Sequence, residues 1–580
     1  MFFSSINFFI NKSFEKHPKE FSLLIFLIII DAISVVASII SIIPFADFIV
    51  DPNLINPQKI TKYILFLFEE FKIQPNYFSF AIFFVFSNIV TSFFKLIIMR
   101  QTLKIKYFFE KSLIHEILNV VLYCKWSYLS SLQQGKILNI FSKEIGNIGS
   151  ATRATAQIFS YFLNCLVYLS IPLFINFKMT LLVIGGSIIV GLPFLFLNKL
   201  AKNLGEKRTL TGNQSIDKLT ETYQAIKLIL GFNKSKPTIA KNIDLFNAQI
   251  DKELKSQIIN LVIPYTYKPL ALIILLVIFG KSFEIEKIPE YVGIFWGLYG
   301  AIPLISNLLN STIVISNLLP SYEQIDEVIV GCNNSKEQSG EIEFKKLEAE
   351  IKFNNVGFNY KKVGFNYKKE EQILENCNIS IEKNQITTFI GKTGIGKSTI
   401  LDLIIGLQKP NSGEIFYDKN NIENLDIYKL RENIGYVPQD PMLFNTSIKD
   451  NIQWANSSIS ENDIDEILKN INAYEFVNES ELKLDTMVGE RGLKISGGQR
   501  QKIALARALA KNPKILVLDE ALSSVDKNSA RIINNYLKVL SEKMTIVNIT
   551  HDHDHCKYAD KIYLVEDSSC RIINNTSELK

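Results

Sequence analysis

Cysteine and net charge are both scarce in this sequence of 580 residues. The six cysteines are widely spaced, at Cys124, Cys165, Cys332, Cys377, Cys556 and Cys570. They show neither the close pairs of a zinc site nor the density of a disulfide framework, which predicts free thiols in a reducing compartment. The formal net charge of +5 is weak for so long a chain and gives no basis for nucleic acid as a partner.

A cleavable leader is missing as well. The first apolar run, residues 22–50, is too long for a signal-peptide core, and no small-residue cleavage site follows it. It therefore predicts an uncleaved membrane span. Residues 1–20 form a short basic and aromatic lead that would lie along the membrane interface and could not hold a protease domain.

Long apolar runs, by contrast, are abundant in the N-terminal part of the chain. They cover residues 22–50, 77–99, 154–177, 179–198, 261–280 and 291–319. Each is near or above the roughly 20 residues that span a bilayer as a helix. The sequence thus predicts an α-helical six-span transmembrane domain over residues 1–320, followed by a polar linker at 321–343.

Lysine and arginine are concentrated in two long loops, residues 100–153 and 199–255. The positive-inside rule then places both termini and both loops in the cytoplasm of a multi-pass protein of the cytoplasmic membrane. Helix-like patterning in these loops predicts that spans two to five continue as helices. Their tips, near residues 128–135 and 224–230, would contact a soluble domain, the alternative being loops that pack only on themselves.

Asp31 lies inside the first span, where an ionisable side chain is costly. Two interpretations remain open for it. Asp31 either serves a substrate path or a proton path, or it is buried against a polar partner in the bundle.

The C-terminal part, residues 344–580, contains a candidate phosphate-binding loop, called the phosphate loop below. A short apolar strand leads into Gly391-Lys392-Thr393-Gly394-Ile395-Gly396-Lys397-Ser398-Thr399 and then an apolar helix. Glycines allow backbone amides to surround phosphates at a helix N-terminus. Lys397 would reach the β- and γ-phosphates, and Ser398 would offer its hydroxyl to Mg²⁺. The nucleotide-binding candidates here are Gly391, Thr393, Gly394, Gly396, Lys397, Ser398 and Thr399.

A second apolar strand ends in Asp519-Glu520. Parallel strands deliver such groups to their C-terminal edge. Asp519 would hold Mg²⁺ through water, and Glu520 would polarise the water that attacks the γ-phosphate. A strand that ends in two acids by accident is the alternative, and the motifs on either side of it argue against that alternative.

The run Ser496-Gly497-Gly498-Gln499 precedes that strand. Its backbone amides and serine hydroxyl suit a γ-phosphate, but the run cannot complete a nucleotide site within its own domain. This predicts a dimer that closes on ATP, each copy completing the site of the other.

Together these motifs resemble those of ATP-binding cassette (ABC) exporter half-transporters, with an α/β P-loop domain of the ABC type. The resemblance implies that Gln439 senses the γ-phosphate and the metal, which makes it a catalytic and a metal-site candidate. It also implies that Glu490 contacts a membrane-domain loop, that Asp526 crosses the dimer interface, and that His551 binds the γ-phosphate as a catalytic switch.

A tandem repeat interrupts the family pattern. Val356-Gly357-Phe358-Asn359-Tyr360-Lys361-Lys362 is followed at once by a second copy, residues 363–369. The family stacks an aromatic ring on adenine at this place, so Tyr360 and Tyr367 compete for that role. The spacing of Tyr367 from Gly391 favours Tyr367, whereas Tyr360 has the better preceding strand.

Histidine and aspartate alternate from His551 to His555. A metal site is one interpretation of this alternation. The other, which we favour, is a single switch histidine followed by an exposed helix start that accepts acidic residues near its positive end.

The expected function is ATP-driven export or flipping of a lipidic or lipid-linked saccharide substrate, with Mg²⁺ as the metal. The saccharide class is implied by a loose similarity of the membrane part to bacterial flippases of lipid-linked oligosaccharides. Drug, lipid or peptide export remains open, as does a regulated channel or switch. A homodimer with two active sites is the simplest assembly, and a heterodimer is the alternative.

Overall fold

A computed structural model describes residues 18–55, 57–280, 288–360 and 372–573. The chain divides into two compact units. The first comprises Met1–Tyr123 and Leu132–Asn334, and the second comprises Cys124–Ser131 and Ser335–Lys580.

The described part of the first unit is helical. Its helices are α1 (Pro18–Ile40), α2 (Ile42–Val50), α3 (Lys59–Glu70), α4 (Tyr77–Leu122), α6 (Gln134–Asn139), α7 (Ile145–Ile175), α8 (Phe177–Gly191), α9 (Leu197–Gln224), α10 (Ile226–Gly231), α11 (Ser235–Gly280) and α12 (Ile288–Asn334), while α5 (Trp126–Leu129) belongs to the second unit. A π-turn at Ile140–Glu144 joins α6 to α7, and a 3₁₀ turn at Leu192–Phe196 joins α8 to α9.

Six helical stretches among the described residues are long and apolar enough to cross a membrane, which confirms the predicted six spans. The predicted helical continuation is also confirmed. α4, for example, runs for 46 residues, well past the end of its apolar run at residue 99. Leu113 and Ile117 are buried along this continuation, so one face stays apolar after the helix becomes polar on the others.

Polar side chains inside the bundle find partners across helices. Asn164 of α7 donates to Oδ2 of Asp31 at 2.8 Å, and Asp31 is fully buried. Ser38 of α1 donates to the side-chain oxygen of Asn88 on α4 at 2.9 Å. Asp31 therefore has the polar partner expected from the cost of a lone carboxylate in an apolar bundle. A role in a substrate or proton path stays a prediction.

α12 continues through residue 334, so the segment 321–334 of the predicted linker is helical. Tyr322, Ile325 and Val328 are buried along it. The three- and four-residue spacing of these apolar side chains sustains the helix where overall polarity suggested a linker.

The first loop tip is divided between the units. Cys124–Ser131, which contains α5, groups with the second unit, and the amide of Lys125 donates to the carbonyl oxygen of Ser335 at 2.9 Å. The rest of this tip, residues 132–135, belongs to the first unit, and the predicted contact of the tip with the soluble domain stays a prediction. The second tip forms α10 in the first unit, and its contact with a soluble domain stays a prediction.

Among its described residues, the second unit contains two sheets. Its strands are β1 (Glu350–Asn359), β2 (Gln372–Glu382), β3 (Ile386–Ile390), β4 (Ser412–Tyr417), β5 (Asn420–Asn421), β6 (Ile434–Val437), β7 (Ile515–Asp519), β8 (Thr545–Ile549), β9 (Lys561–Glu566) and β10 (Ser569–Ile573). The six-stranded sheet has the order β10-β9-β3-β8-β7-β6, in which only β10 pairs antiparallel. The four-stranded sheet, β2-β1-β4-β5, is antiparallel.

Besides α5, eight helices are described in the second unit, and all of them except α14 follow a strand of the six-stranded sheet. They are α13 (Lys397–Ile405), α14 (Ile427–Glu432), α15 (Ile448–Gln453), α16 (Glu461–Asn470), α17 (Tyr474–Asn478), α18 (Gly497–Ala510), α19 (Lys527–Leu540) and α20 (His553–Cys556). Every residue of β3 and β7 is buried, as expected of central parallel strands covered on both faces. The C-terminal ends of β3, β6, β7 and β8 therefore share one edge, where ligands bind in sheets of this kind.

Candidate functional site

The phosphate loop connects β3 to α13 in the strand–loop–helix arrangement predicted. Gly394 and Gly396 adopt φ angles of +83° and +107°, a backbone conformation that residues other than glycine rarely adopt. A Cβ on Gly396 would lie 2.6 Å from a methyl carbon of Ile373. The glycines therefore let the loop curl against its neighbours, and the helix that follows begins at Lys397.

The ammonium of Lys397 lies inside the curve of this loop. It donates to the carbonyl oxygens of Gly391 and Lys392 at 2.8 and 2.9 Å. Burial lowers its pKa, while the charges of Glu520 and Asp519 act in the opposite direction. A phosphate held by the loop would meet this positive charge directly.

Asp519, the last residue of β7, is buried and interacts with the side chain of Ser398. Burial raises the pKa of Asp519, and the negative charge of Glu520 adds to the effect. Its Oδ1 is buried without a hydrogen-bond partner. An unpaired carboxylate oxygen beside a serine hydroxyl fits Mg²⁺, a hard cation that prefers oxygen ligands.

Glu520, Gln439 and His551 come together although they are distant in the sequence. Gln439 donates from Nε2 to Oε2 of Glu520 at 2.9 Å, and Nδ1 of His551 lies 3.5 Å from the same oxygen. The three residues follow β7, β6 and β8, which are neighbours in the sheet. Glu520 has a φ of +47°, and its amide donates to the carbonyl oxygen of Ile549 at 3.1 Å. This backbone turn directs its carboxylate along the sheet edge.

The Ser-Gly-Gly-Gln run forms the start of α18. The Ser496 hydroxyl accepts from the amide of Gln499 at 3.2 Å, and the Gln499 side chain accepts from the amide of Ser496 at 2.9 Å. This capping box leaves the exposed Ser496 at the positive end of a 14-residue helix. A Cβ on Gly498 would lie 2.8 Å from the carbonyl oxygen of Ser524. The contact of the run with a second copy stays a prediction.

Asp526 caps α19, since its carboxylate accepts from the amide of Ser529 at 2.9 Å. That hydrogen bond lowers the pKa of Asp526. The observed role of this exposed residue is thus to begin a helix, and its place at a dimer interface stays a prediction. The segment Glu490–Gly492 forms a 3₁₀ turn, and the predicted contact of Glu490 with a membrane-domain loop also stays a prediction.

Gln501 was not among the site residues predicted from the sequence. This side chain is only 3% exposed, accepts from the amide of Ser524 at 2.9 Å and donates to the hydroxyl of Ser523 at 3.0 Å. It ties α18 to the loop that follows Glu520. A polar residue at a buried position of an otherwise apolar helix face was the signal that could have revealed it.

The adenine-stacking candidates are only partly described. The Tyr360 hydroxyl lies 3.2 Å from Oγ1 of Thr399 in α13, and its ring centroid lies 4.9 Å from that of Phe358. Tyr367 lies outside the described residues. Asn359 pairs with Gln372 at the end of the β1–β2 ladder, so the first copy of the repeat supplies the strand.

The His551–His555 segment leads into α20, whose N-cap Asp552 accepts from the amide of Asp554 at 2.9 Å. Nε2 of His555 lies 3.7 Å from the Asp552 carboxylate, while His551 faces Glu520. The described ranges contain no group of three or more His, Cys, Asp or Glu side chains placed to hold a metal ion.

Comparison with known families agrees with this geometry. Residues 374–523, which include the phosphate loop, the Ser-Gly-Gly-Gln run and Asp519-Glu520, match the family model described as ABC transporter. The chain contains an ABC transporter domain. Its fold resembles that of a bacterial Atm1-family ABC exporter with ATP bound, with a TM-score of 0.76 at 17% identity, covering 96% of this chain and 94% of that one.

Relatives of this chain differ in length. It is 28% identical over 461 residues to the heterocyst differentiation ATP-binding protein HepA of Nostoc sp., covering 78% of this chain and 74% of that protein. It is 35% identical over 223 residues to human ATP-binding cassette sub-family B member 5, covering 38% of this chain and only 17% of that protein. The domain, the exporter fold and these relatives support ATP hydrolysis coupled to transport by a multi-pass membrane protein.

Proposed function

We propose that two copies of this chain form a homodimer with two ATP sites, each shared between the copies, and that ATP-driven closure exports or flips a lipidic substrate. The phosphate loop of one copy would hold ATP, and the Ser-Gly-Gly-Gln run of the other would cover its γ-phosphate. A heterodimer with a related chain is the alternative assembly.

The observation that carries this proposal is the convergence of Gln439 and His551 on one carboxylate oxygen of Glu520. Glu520 would accept a proton from the attacking water, because a positioned carboxylate is the usual general base for such a step. Gln439 would orient that carboxylate through its amide. His551 would contribute a donor toward the γ-phosphate.

The orphaned Oδ1 of Asp519 and the Ser398 hydroxyl would hold Mg²⁺. The ion would neutralise charge on the β- and γ-phosphate oxygens. Gln439, adjacent to Glu520, would contribute its side-chain oxygen to the same region.

Mixing two inactive variants tests whether the sites are shared. Lys397→Ala disables one phosphate loop, and Ser496→Arg blocks one Ser-Gly-Gly-Gln run. A dimer with one chain of each variant keeps one intact shared site, so mixing them should restore part of the ATP turnover. The Lys397→Ala/Ser496→Arg double variant mixed with wild type is the matched control: both shared sites are broken in its mixed dimer, so its turnover should equal that of the wild-type homodimers alone. No recovery of turnover when the two single variants are mixed would contradict the proposal.

Glu520→Gln tests the chemistry in lipid vesicles. We expect ATP turnover to fall by at least about 100-fold, the range attributed to a positioned general base. ATP binding should persist, because the phosphate loop is untouched. An unchanged turnover, or a wild type without ATPase activity, would favour a channel or switch instead.

The substrate class is lipid-linked saccharide in our proposal. Its support is the similarity of two membrane-part segments, Ile43-Pro44-Phe45 and residues 128–148, to flippases of such lipids. A flipping assay with fluorescent glycolipids in vesicles, compared with headgroup-free lipid, a hydrophobic drug and a peptide, tests it. ATP-dependent transfer of only the drug or the peptide would refute the lipid class.

The proposal also places both termini on the cytoplasmic side of the cytoplasmic membrane. Terminal tags that are accessible in inside-out vesicles, and not in right-side-out vesicles, would support this orientation.

A further inference from the structure

We propose that Cys377 and Cys570 form a redox-modifiable dithiol, and that joining them as a disulfide alters the phosphate loop. The two sulfur atoms lie 3.3 Å apart although the residues are 193 positions apart in the sequence. Cys377 is buried in β2, whereas Cys570 in β10 is partly accessible to solvent. This proposal does not depend on the transported substrate or on the dimer.

Local backbone geometry brings the two thiols together. Asp567 and Ser568 form the two-residue turn between β9 and β10, with positive φ angles of 46° and 59° that match the twist of a tight hairpin. The carbonyl oxygen of Ser568 accepts from the amide of Glu375 at 2.7 Å, which fastens this turn to β2. The juxtaposition therefore rests on backbone hydrogen bonds as well as on the side chains.

One thiol-bearing strand, and the hairpin partner of the other, pack against opposite ends of the phosphate loop. In β2, Ile373, four residues before Cys377, has a methyl carbon 2.6 Å from the Cβ position of Gly396. In β9, Val565 pairs across the hairpin with Cys570 of β10, and its carbonyl oxygen packs against Gly391. A covalent link between β2 and β10 would therefore connect β2, at one end of the loop, to the β9–β10 hairpin, at the other end.

Bond formation requires a small displacement. A disulfide bond is about 2.05 Å long, so the sulfur atoms must approach by roughly 1.2 Å from their present 3.3 Å. Ile373 and Val565 approach the loop so closely that a Cβ on Gly396 or on Gly391 would lie 2.6 or 2.4 Å from them. We therefore expect the loop backbone to shift with the strands.

The chemistry is thiol–disulfide exchange with a small organic disulfide as the oxidant. The Cys570 thiolate attacks one sulfur of the reagent, forms a mixed disulfide and releases one thiol. Cys377 then attacks the Cys570 sulfur and releases the second thiol. Two protein S–H bonds and the reagent S–S bond are lost, and one protein S–S bond and two reagent S–H bonds are formed.

Treatment of the full-length protein with hydroxyethyl disulfide tests the proposal. Peptide mapping should find the Cys377 and Cys570 peptides linked, with two hydrogens lost, and dithiothreitol should separate them. We expect kcat/KM for ATP to fall about 3- to 10-fold and to recover on reduction, because displacements of about 1 Å in positioning groups carry large kinetic costs. The affinity for a fluorescent ATP analogue provides a second readout.

Two variants make the result decisive. Cys570→Ser leaves the buried Cys377 in place and should abolish both the linked peptide and the oxidant effect. Cys165→Ala, which removes a thiol buried in the membrane bundle, is the matched control and should retain both. The proposal is overturned if no linked peptide forms, or if the linked protein binds and hydrolyses ATP like the reduced protein. It is also overturned if Cys570→Ser responds to the oxidant as the wild type does.

Discussion

The side-chain nitrogen of Gln439 lies 2.9 Å from Oε2 of Glu520, although 81 positions separate the two residues in the sequence. His551 approaches the same oxygen to 3.5 Å. The carboxylate proposed to accept a proton from water is thus oriented by one amide and faced by one imidazole. In our proposal Gln439 positions Glu520, and its effect on turnover can be separated from its effect on folding.

Gln439→Ala should lower ATP turnover about 10-fold or more, because Glu520 loses the donor that orients it. The unfolding temperature should stay unchanged, because this hydrogen bond is exposed. Steady-state ATPase assays and thermal unfolding of the same preparation measure both effects. Gln439→Glu should also be impaired, since it places a second carboxylate beside Glu520. Wild-type turnover in Gln439→Ala would show that the contact does not matter.

Gly498→Ala should destabilise the second unit, because the new Cβ would lie 2.8 Å from the carbonyl oxygen of Ser524. Overpacking of this kind typically costs about 1–3 kcal/mol. Gly497→Ala is the matched control, since its nearest neighbour, the Cβ of Ser524, would be at an ordinary 3.5 Å. In thermal unfolding experiments, the midpoint temperature should fall for Gly498→Ala only. Equal midpoints for the two variants would contradict the close approach.

Asp31→Ala should destabilise the membrane bundle, because the buried amide of Asn164 loses its acceptor. A buried polar group left without its partner costs about 1–3 kcal/mol. Asp31→Asn keeps an acceptor oxygen of the same size and should unfold near the wild-type temperature. Both midpoints are measured in the same detergent. If Asp31→Asn is as unstable as Asp31→Ala, the negative charge itself is required.

His555 should make stability depend on pH. Burial lowers its pKa below the ordinary value of 6.5, so the unfolded chain binds a proton before the folded protein does. The free energy of unfolding that His555 contributes is therefore fully present above about pH 6.5. It is lost as the pH falls toward the pKa of His555 in the folded protein. The unfolding temperature of His555→Asn should approach that of the wild type as the pH is lowered from neutrality. A difference independent of pH would refute this assignment.

The phosphate loop and the six spans were predictable because their signals are local. An apolar run of about 20 residues has few structural solutions other than a membrane helix. Glycines before Lys397 dictate a loop at a helix start wherever the sheet lies. The helical character of residues 321–334 was missed, because overall polarity masked the apolar spacing of Tyr322, Ile325 and Val328.

Partnerships between distant residues needed the tertiary structure. The strand order β10-β9-β3-β8-β7-β6 decides which strand ends are neighbours, and chain order does not contain it. Gln501 was missed for the same reason, since its partners Ser523 and Ser524 are defined by how α18 packs on the loop after Glu520.

The sequence by itself determined the ABC transporter motifs and the number of spans, and it predicts a γ-phosphate contact from outside the domain. Hydrophobic periodicity, the placement of glycines and the length of apolar runs are properties of residues that are close in sequence. They can therefore be recognised without the tertiary structure. Only the tertiary structure decided that Gln439 and His551 meet at Glu520, that Asn164 pairs with Asp31, and that Cys377 lies against Cys570. Those contacts depend on packing, in which side chains far apart in sequence become neighbours through the arrangement of whole strands and helices.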